Sequence, residues 1–413
     1  MLRTERRLPR AAGFIVRFTK MNPGAAVIMA GGPWPAKAIV ARVCVSRRWD
    51  PRMKPAAGDA ERLICLCRAG FETECALESS ALAATAGIDG QPHFESGSGY
   101  TEFAPAAPPP SAAWRQLADW RNHIFARECL TAFAVLDGLP RGDRLTPILR
   151  ALAERGEPYA DVWVEAPDSD DGKALAPFCR SFGNALVGGL KKSALLRAGA
   201  PRRLHAFFPQ GDKVYLAAVD PATATPWPQG IPRLKFPRNA PSRSTLKLDE
   251  ALLVLLDDDE RRRGLKAGMS AVDLGAAPGG WTWQFVQRSI RVTAVDNGPM
   301  DPALMQSGLV VHRREDAFRF KPGKPVDWMV CDMVEQPRRV AELVAQWLAQ
   351  GWCRRAIFNL KLPMKKRYEE TRLCLELIRA RIAKQHAGAA ITLRARQLYH
   401  DREEITAYCA LAG

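Results

Sequence analysis

From Arg62 onward, short apolar runs alternate with helix-permissive stretches, whereas residues 1–60 keep no sustained apolar period of 2 or 3.6. Leu63-Ile64-Cys65-Leu66-Cys67 predicts a buried strand and Phe71 to Ala84 a helix, with a Gly and Pro break over residues 87–92. Pro105-Ala106-Ala107-Pro108-Pro109-Pro110 predicts a loop or linker. After it the pattern predicts a helix from Ser111 to Arg121, a strand from Leu130 to Leu136 and a helix from Thr146 to Glu154. The alternation Ala160 to Val164 reads as a strand, Gly172 to Phe182 as a helix and Leu204 to Phe208 as another strand. Pieces this short do not suit a doubly wound sheet; they predict small ferredoxin-like α+β modules.

Six prolines punctuate residues 221–242, which reads as a linker or docking strap. Beyond it the cadence becomes β-α-β. A helix (Leu246 to Leu256), strands at Ala271 to Leu274 and Val292 to Val295, a helix between them (Trp281 to Gln287), and strands near Val310 and over Trp328 to Cys331 are predicted. A helix (Arg338 to Leu348), the strand Ala356 to Leu360, a helix (Glu369 to Lys384) and terminal strands complete a parallel α/β sheet. The predicted domains are a basic extension over residues 1–60, disordered or preceding the true start, an α+β region over 61–220, the Pro-rich linker 221–242 and an α/β domain over 243–413.

Composition narrows the class. The 413 residues exceed one ordinary core, and 47% apolar with 25% charged residues suits a globular chain. Neither a bilayer-length apolar run nor a signal-peptide pattern occurs, so the expectation is a cytoplasmic protein with no membrane partner. The net charge of +16 favours a polyanionic partner, although twelve of the 60 Lys and Arg, against three of the 44 acidic residues, lie in residues 1–60. The ten cysteines form no C-x-x-C pair, so neither a metal site nor a disulfide framework is expected.

The sharpest chemical signal is Val272-Asp273-Leu274-Gly275-Ala276-Ala277-Pro278-Gly279-Gly280, a strand entering a glycine-rich turn and then a helix. It is neither G-x-G-x-x-G nor a phosphate loop, because the Lys-Ser/Thr ending is absent. An acidic strand tip followed by small residues suits a ligand with a cationic amino-acid moiety, such as S-adenosyl-L-methionine. Asp296 ends the next strand, 23 residues after Asp273, where a carboxylate accepts ribose hydroxyls, and Asp316 follows the third strand within reach of an adenine. Asp332 and Lys361 each end an almost wholly apolar strand and so reach the sheet's rim. Partial burial and cationic neighbours are expected to lower the Lys361 pKa enough for it to act as a base. Met333-Val334 stands where an amine methylase carries Pro-Pro-Tyr/Phe, and no cysteine follows a proline, which leaves a hydroxyl as the best acceptor.

At these residues the chain resembles the bacterial 23S rRNA 2'-O-ribose methyltransferase M family, a branch of the FtsJ-like ribose methyltransferases. The matching segments include Gly230 to Pro237, Ala240 to Leu248, Asp273 to Trp281, Val295 to Met300, Trp328 to Val334, Ile357 to Glu370 and Gln397 to Glu404, with fainter similarity from residue 62. The resemblance implies a THUMP-containing RNA-binding region followed by a Rossmann-like methyltransferase that modifies one cytidine in the peptidyl-transferase region of 23S rRNA. Its catalytic Lys-Asp-Lys-Glu set falls on Lys247, Asp332, Lys361 and Glu404. Its S-adenosyl-L-methionine contacts fall on Ser244, Ala277, Pro278, Gly279, Gly280, Asp296, Asp316 and Asp332. Ala277 replaces a cysteine common in that loop.

The expected reaction is in-line methyl transfer to a ribose 2'-oxygen by a monomer without metal, with neutral Lys361 as base, Asp332 orienting it and Lys247 and Glu404 positioning the ribose. Lys365-Lys366-Arg367 and the N-terminal modules are expected to bind the backbone of unassembled or precursor 23S rRNA. The alternatives are a 2'-O-methyltransferase of another RNA and a non-catalytic ribosome-assembly factor.

Overall fold

The computed structural model describes residues 61–411, so the basic extension read over residues 1–60 lies outside the described residues. Eleven elements build the N-terminal part: β1 (Arg62–Cys67), α1 (Glu72–Thr85), β2 (Gly90–His93), β3 (Tyr100–Pro105), α2 (Ser111–Ala118), β4 (Ala126–Leu136), α3 (Leu145–Arg155), β5 (Asp161–Glu165), α4 (Asp170–Lys192), β6 (Arg203–Gln210) and β7 (Lys213–Val219). Their strands form one seven-stranded sheet in the order β2-β3-β1-β4-β7-β6-β5. Only the β5–β6 pair is parallel.

Period-2 alternation explains how one strand serves two layers. In β1, Leu63, Cys65 and Cys67 pack into a core with Phe71 and Cys75, whereas Ile64 and Leu66 point the other way, onto Leu130, Phe207 and Tyr215. Two differences from the sequence reading have local causes. The expected break at 87–92 holds the start of strand β2, where Pro92 is tolerated because β2 is an edge strand. Helix α4 runs on through Gly183, Gly188 and Gly189 to Lys192, since a Cβ at Gly189 would sit 2.7 Å from Leu149 and the glycine lets α3 pack closely.

The C-terminal part comprises α5 (Thr245–Val254), α6 (Asp258–Gly264), β8 (Ser270–Leu274), α7 (Gly280–Val286), β9 (Arg291–Val295), α8 (Pro302–Gln306), β10 (Val310–Arg313), β11 (Val326–Cys331), α9 (Pro337–Ala349), β12 (Cys353–Lys361), α10 (Arg367–Gln385), β13 (Ile391–Arg396) and β14 (Glu404–Leu411). The sheet order is β10-β9-β8-β11-β12-β14-β13. Strands β8 to β12 are parallel, as the β-α-β cadence predicts. β14 is antiparallel to both of its neighbours, so the sheet is mixed. The seven residues between β13 and β14 are too few for the crossover a parallel pair requires. Strand order reverses between β8 and β11, which opens a crevice at their carboxyl ends, the position where open α/β sheets bind ligands.

The Pro-rich strap crosses the N-terminal sheet on its way to α5. Gly230, at φ +66°, lies so close to Arg127 that a Cβ would fall 2.3 Å from its carbonyl oxygen, and the Gln229 amide donates to Glu165 at 2.6 Å. The two sheets also touch directly. Arg396 is buried, donates to the carbonyls of Ala126 (3.0 Å) and Trp120, and stacks 4.1 Å over the Trp120 ring, while the Gln397 amide donates to Ile124 O at 2.8 Å.

Candidate active site

The glycine-rich turn after β8 lies at the crevice. Gly279 has φ +115°, a conformation L side chains avoid, and a Cβ there would be 2.3 Å from Leu304. Gly280 begins α7 so close to the start of α5 that a Cβ would lie 2.2 Å from Ser244 Oγ and 2.4 Å from Ser242 Oγ. The Ser242 and Ser244 hydroxyls are 2.6 Å apart, so the glycine loop brings a hydroxyl pair to its own edge.

The carboxylates are distributed along the same edge. Asp296 follows β9 and accepts the Ala277 amide at 3.0 Å and the Gly298 amide at 2.7 Å, one on each oxygen. Each oxygen keeps a lone pair for a ligand hydroxyl. Asp316 is exposed and caps the following turn through Phe318 N at 2.8 Å. Asp273 does not face the crevice as its position suggests. It is 1% exposed, accepts the Thr282 hydroxyl at 2.6 Å, and burial, with Asp332 and Asp296 nearby, pushes its carboxyl up to about 7.

Lys247, Asp332, Lys361 and Glu404 come from four different elements and meet as a ring of alternating charge. Lys361 ends β12 opposite Glu404, the first residue of β14, and the two side chains are hydrogen-bonded. Lys361 Nζ also donates to Asp332 Oδ1 at 2.8 Å. From α5, Lys247 Nζ reaches Asp332 Oδ2 at 3.3 Å and Glu404 Oε1 at 2.5 Å. Burial works against the Lys361 charge, but Asp332 and Glu404 outweigh it and hold the ammonium above the ordinary lysine range. The lowering expected from cationic neighbours is thus reversed: Lys365 and Lys366 are exposed, and the carboxylates lie closest.

A second layer, not anticipated from the sequence, holds the ring. Asn359, fully buried two residues before Lys361 on the same face of β12, donates to Asp332 Oδ1 at 2.9 Å. Its Oδ1 lies 2.7 Å from Thr406 Oγ1, which in turn is 3.0 Å from both oxygens of Asp401. Thr406 has one hydroxyl proton, so giving it to Asn359 requires Asp401 to be protonated. Burial, together with Glu404 and Glu250, holds the Asp401 carboxyl well above the usual range. Glu250, one helical turn after Lys247, fixes the turn that carries Asp401 by accepting the amides of Tyr399 (2.8 Å) and His400 (2.9 Å). The available signal was the one polar residue in the apolar run from Ala356 to Leu360.

Arg367 is a correction. Rather than pointing to solvent with Lys365 and Lys366, it donates to Gly70 O at 3.0 Å, pairs with Glu403 and stacks 4.4 Å over Phe71, so it ties α10 to the N-terminal part.

The polar groups along the crevice suit a nucleoside with a cationic side chain: carboxylate acceptors at strand ends, hydroxyls, and a glycine loop without the lysine that a polyphosphate would need. Ser244, Ala277, Pro278, Gly279, Gly280, Asp296, Asp316 and Asp332 are the residues available to hold it.

Three family matches account for most of the described chain: FtsJ-like methyltransferase over residues 240–380, the N-terminal region of ribosomal RNA large subunit methyltransferase M over 143–219, and the RlmM ferredoxin-like domain over 60–130. Among solved structures, TrmN from Thermus thermophilus is similar at 17% identity and a TM-score of 0.32, covering 85% of this chain and all of that one. The ribosomal RNA large subunit methyltransferase M of Xanthomonas campestris pv. campestris strain B100 is 55% identical over 349 residues, 83% of this chain and 97% of the relative. That of Xanthomonas oryzae pv. oryzae strain PXO99A is 55% identical over 347 residues, with the same coverage. At this identity, sustained over nearly the whole length of each relative, the chain belongs to the ribosomal RNA large subunit methyltransferase M family.

Proposed function

We propose that the protein methylates the ribose 2'-hydroxyl of one cytidine in 23S rRNA, drawing the methyl group from S-adenosyl-L-methionine. The observation that carries this reading is the Lys247–Asp332–Lys361–Glu404 ring at the carboxyl edge of the sheet, beside the glycine loop. S-adenosyl-L-methionine, when bound, supplies an electrophilic methyl group on a sulfonium. Ser244, the loop from Ala277 to Gly280, Asp296 and Asp316 would hold it, and Asp332 would offset its positive charge.

The protein's own part is alignment and one proton. Lys247 and Glu404 hold the ribose so that its 2'-oxygen faces the methyl group, since bringing two reactants into line supplies much of the acceleration. Lys361, neutral in the reactive complex, accepts the hydroxyl proton, and Asp332 and Glu404 stabilise the ammonium that forms. Asn359 keeps Asp332 in the rotamer that serves both lysines. Residues 61–220 select the RNA by shape and single-stranded context, and residues 243–413 carry out the transfer. The protein acts as a cytoplasmic monomer on unassembled or precursor rRNA. Among the described residues no helix is long and apolar enough to cross a membrane.

The test is transfer of labelled methyl from S-adenosyl-L-methionine to 23S rRNA from cells lacking the gene, with the label mapped by nuclease digestion. Label on a single cytidine ribose, reduced at least a hundredfold by Lys361→Ala, is expected, that loss being the scale of general base catalysis (~100- to 10,000-fold). Label on another RNA would redirect the substrate assignment, and cofactor binding without transfer to any RNA would favour an assembly factor.

A further inference from the structure

The two strands that carry Asp332 and Lys361 each release a loop with an apolar residue at its tip. Val334, two residues after Asp332, is 94% exposed, and Met364, three residues after Lys361, is 90% exposed. The other exposed large apolar side chains among the described residues, Phe236, Met305 and Val311, are 40 to 54% exposed. The two most exposed therefore leave adjacent strands, β11 and β12, whose terminal groups Asp332 and Lys361 are 2.8 Å apart. So exposed, these two side chains contribute little to the core, and apolar surface gathered beside a site is the kind that marks a binding surface.

Their surroundings select the occupant. Lys365 and Lys366 follow Met364 and are both exposed; the Lys366 ammonium makes only a 3.9 Å surface pair with Glu369. An apolar tip backed by cations matches an unstacked nucleobase with its phosphates, because bases offer flat apolar faces and the backbone offers negative charge. Presenting a ribose 2'-oxygen to the ring requires the target nucleotide to leave its stack, and each base face so exposed needs a new partner. Unbranched methionine, with its polarisable sulfur, suits the face of a ring and is among the residues that nucleic-acid-binding proteins wedge between bases.

We propose that Val334 and Met364 form a two-sided platform for the nucleobases at the methylated position of single-stranded RNA, with Lys365 and Lys366 on the adjoining phosphates. The inference rests on the RNA ribose methylation proposed above and adds the residues that hold the substrate open. Val334 and Met364 are positioning residues: they touch the base, not the reacting oxygen or the methyl group.

The experiment compares full-length wild type with Val334→Ser/Met364→Ser, Lys365→Ala/Lys366→Ala and Met364→Phe on an unmodified 23S rRNA transcript. It reads kcat and KM for RNA, equilibrium RNA binding at several salt concentrations, and S-adenosyl-L-methionine binding by calorimetry. The serine pair is expected to lose about ten- to a hundredfold in RNA affinity, the scale of one base-stacking contact, mainly through KM and without a change in salt slope. The lysine pair is expected to lower the salt slope by roughly two. Met364→Phe is expected to retain or strengthen RNA binding, which a merely structural role for Met364 does not predict, and cofactor affinity stays at the wild-type value in every variant. Unchanged RNA binding by the serine pair, or a parallel loss of cofactor binding that Met364→Phe shares, would overturn the platform. If wild type transfers no methyl to the transcript, the reaction assigned above fails; binding to the same transcript still decides the platform, since a weaker serine pair upholds it and an equal one removes it. Stable capture of a protein rather than RNA at these loops, abolished by the serine pair, would also overturn it.

Discussion

Lys361 meets two carboxylates directly, and this sets its chemistry more firmly than the lysines and arginine that follow it in sequence. With its pKa above the ordinary lysine value, the neutral form is a small fraction at neutral pH and grows tenfold with each pH unit. The expected outcome is a single-turnover methylation rate that rises about one log unit per pH unit between pH 7 and 9, measured at saturating RNA and cofactor. A flat profile would remove Lys361 as the base. The linkage sign is consistent: a lysine whose folded pKa is raised stabilises the fold below its unfolded value near 10.4 and loses that contribution as pH climbs through the folded value. Lys361 and Asp332 were legible because each stands at the carboxyl end of an almost wholly apolar run. Asp273, one residue before the end of β8, also read as a strand-tip acid yet turns to Thr282, because one-dimensional spacing does not reveal which carboxylate finds a partner inside.

At the scale of elements, β12 and β14 act as a pair, with two matched rungs at Asn359 opposite Thr406 and Lys361 opposite Glu404. The first rung supports Asp332, and the second holds the lysine proposed as the base. Thr406→Val keeps the shape but withdraws the proton that satisfies Asn359. It is expected to lower kcat about tenfold, on the order of 1.4 kcal/mol, while S-adenosyl-L-methionine binding stays at the wild-type value; equal losses in both would mean general destabilisation instead. The parallel strands and the helices between them were readable because their apolar runs and spacing follow one rule. The rungs were not, because antiparallel register joins residues 43 and 47 apart in sequence and no local pattern records it. Strand β2 and the full length of α4 were hidden for a related reason: Pro92 and Gly189 look like breakers until an edge position and a closely packed neighbour explain them.

For the molecule as a whole, the contact between the two sheets runs through buried polar groups. Arg396 answers two carbonyls of the N-terminal part, and Arg127 reaches back to Gln397 at 3.2 Å and to Asp168 at 3.0 Å. Arg396→Met removes a charged donor from two buried acceptors and is expected to destabilise the protein by about 2–4 kcal/mol in denaturant unfolding, since hydrogen bonds to charged groups contribute ~1.5–3 kcal/mol each and part of that is recovered by apolar packing. Unchanged stability would mean that Arg396 adds nothing net to the interface beyond its other polar and apolar contacts.

The segment that grips the N-terminal sheet at Arg396 and Gln397 continues, seven residues past Gln397, into Glu404. One stretch of chain therefore both joins the two sheets and completes the charged ring. Removing the N-terminal part would therefore free the tether of that glutamate along with the contact itself.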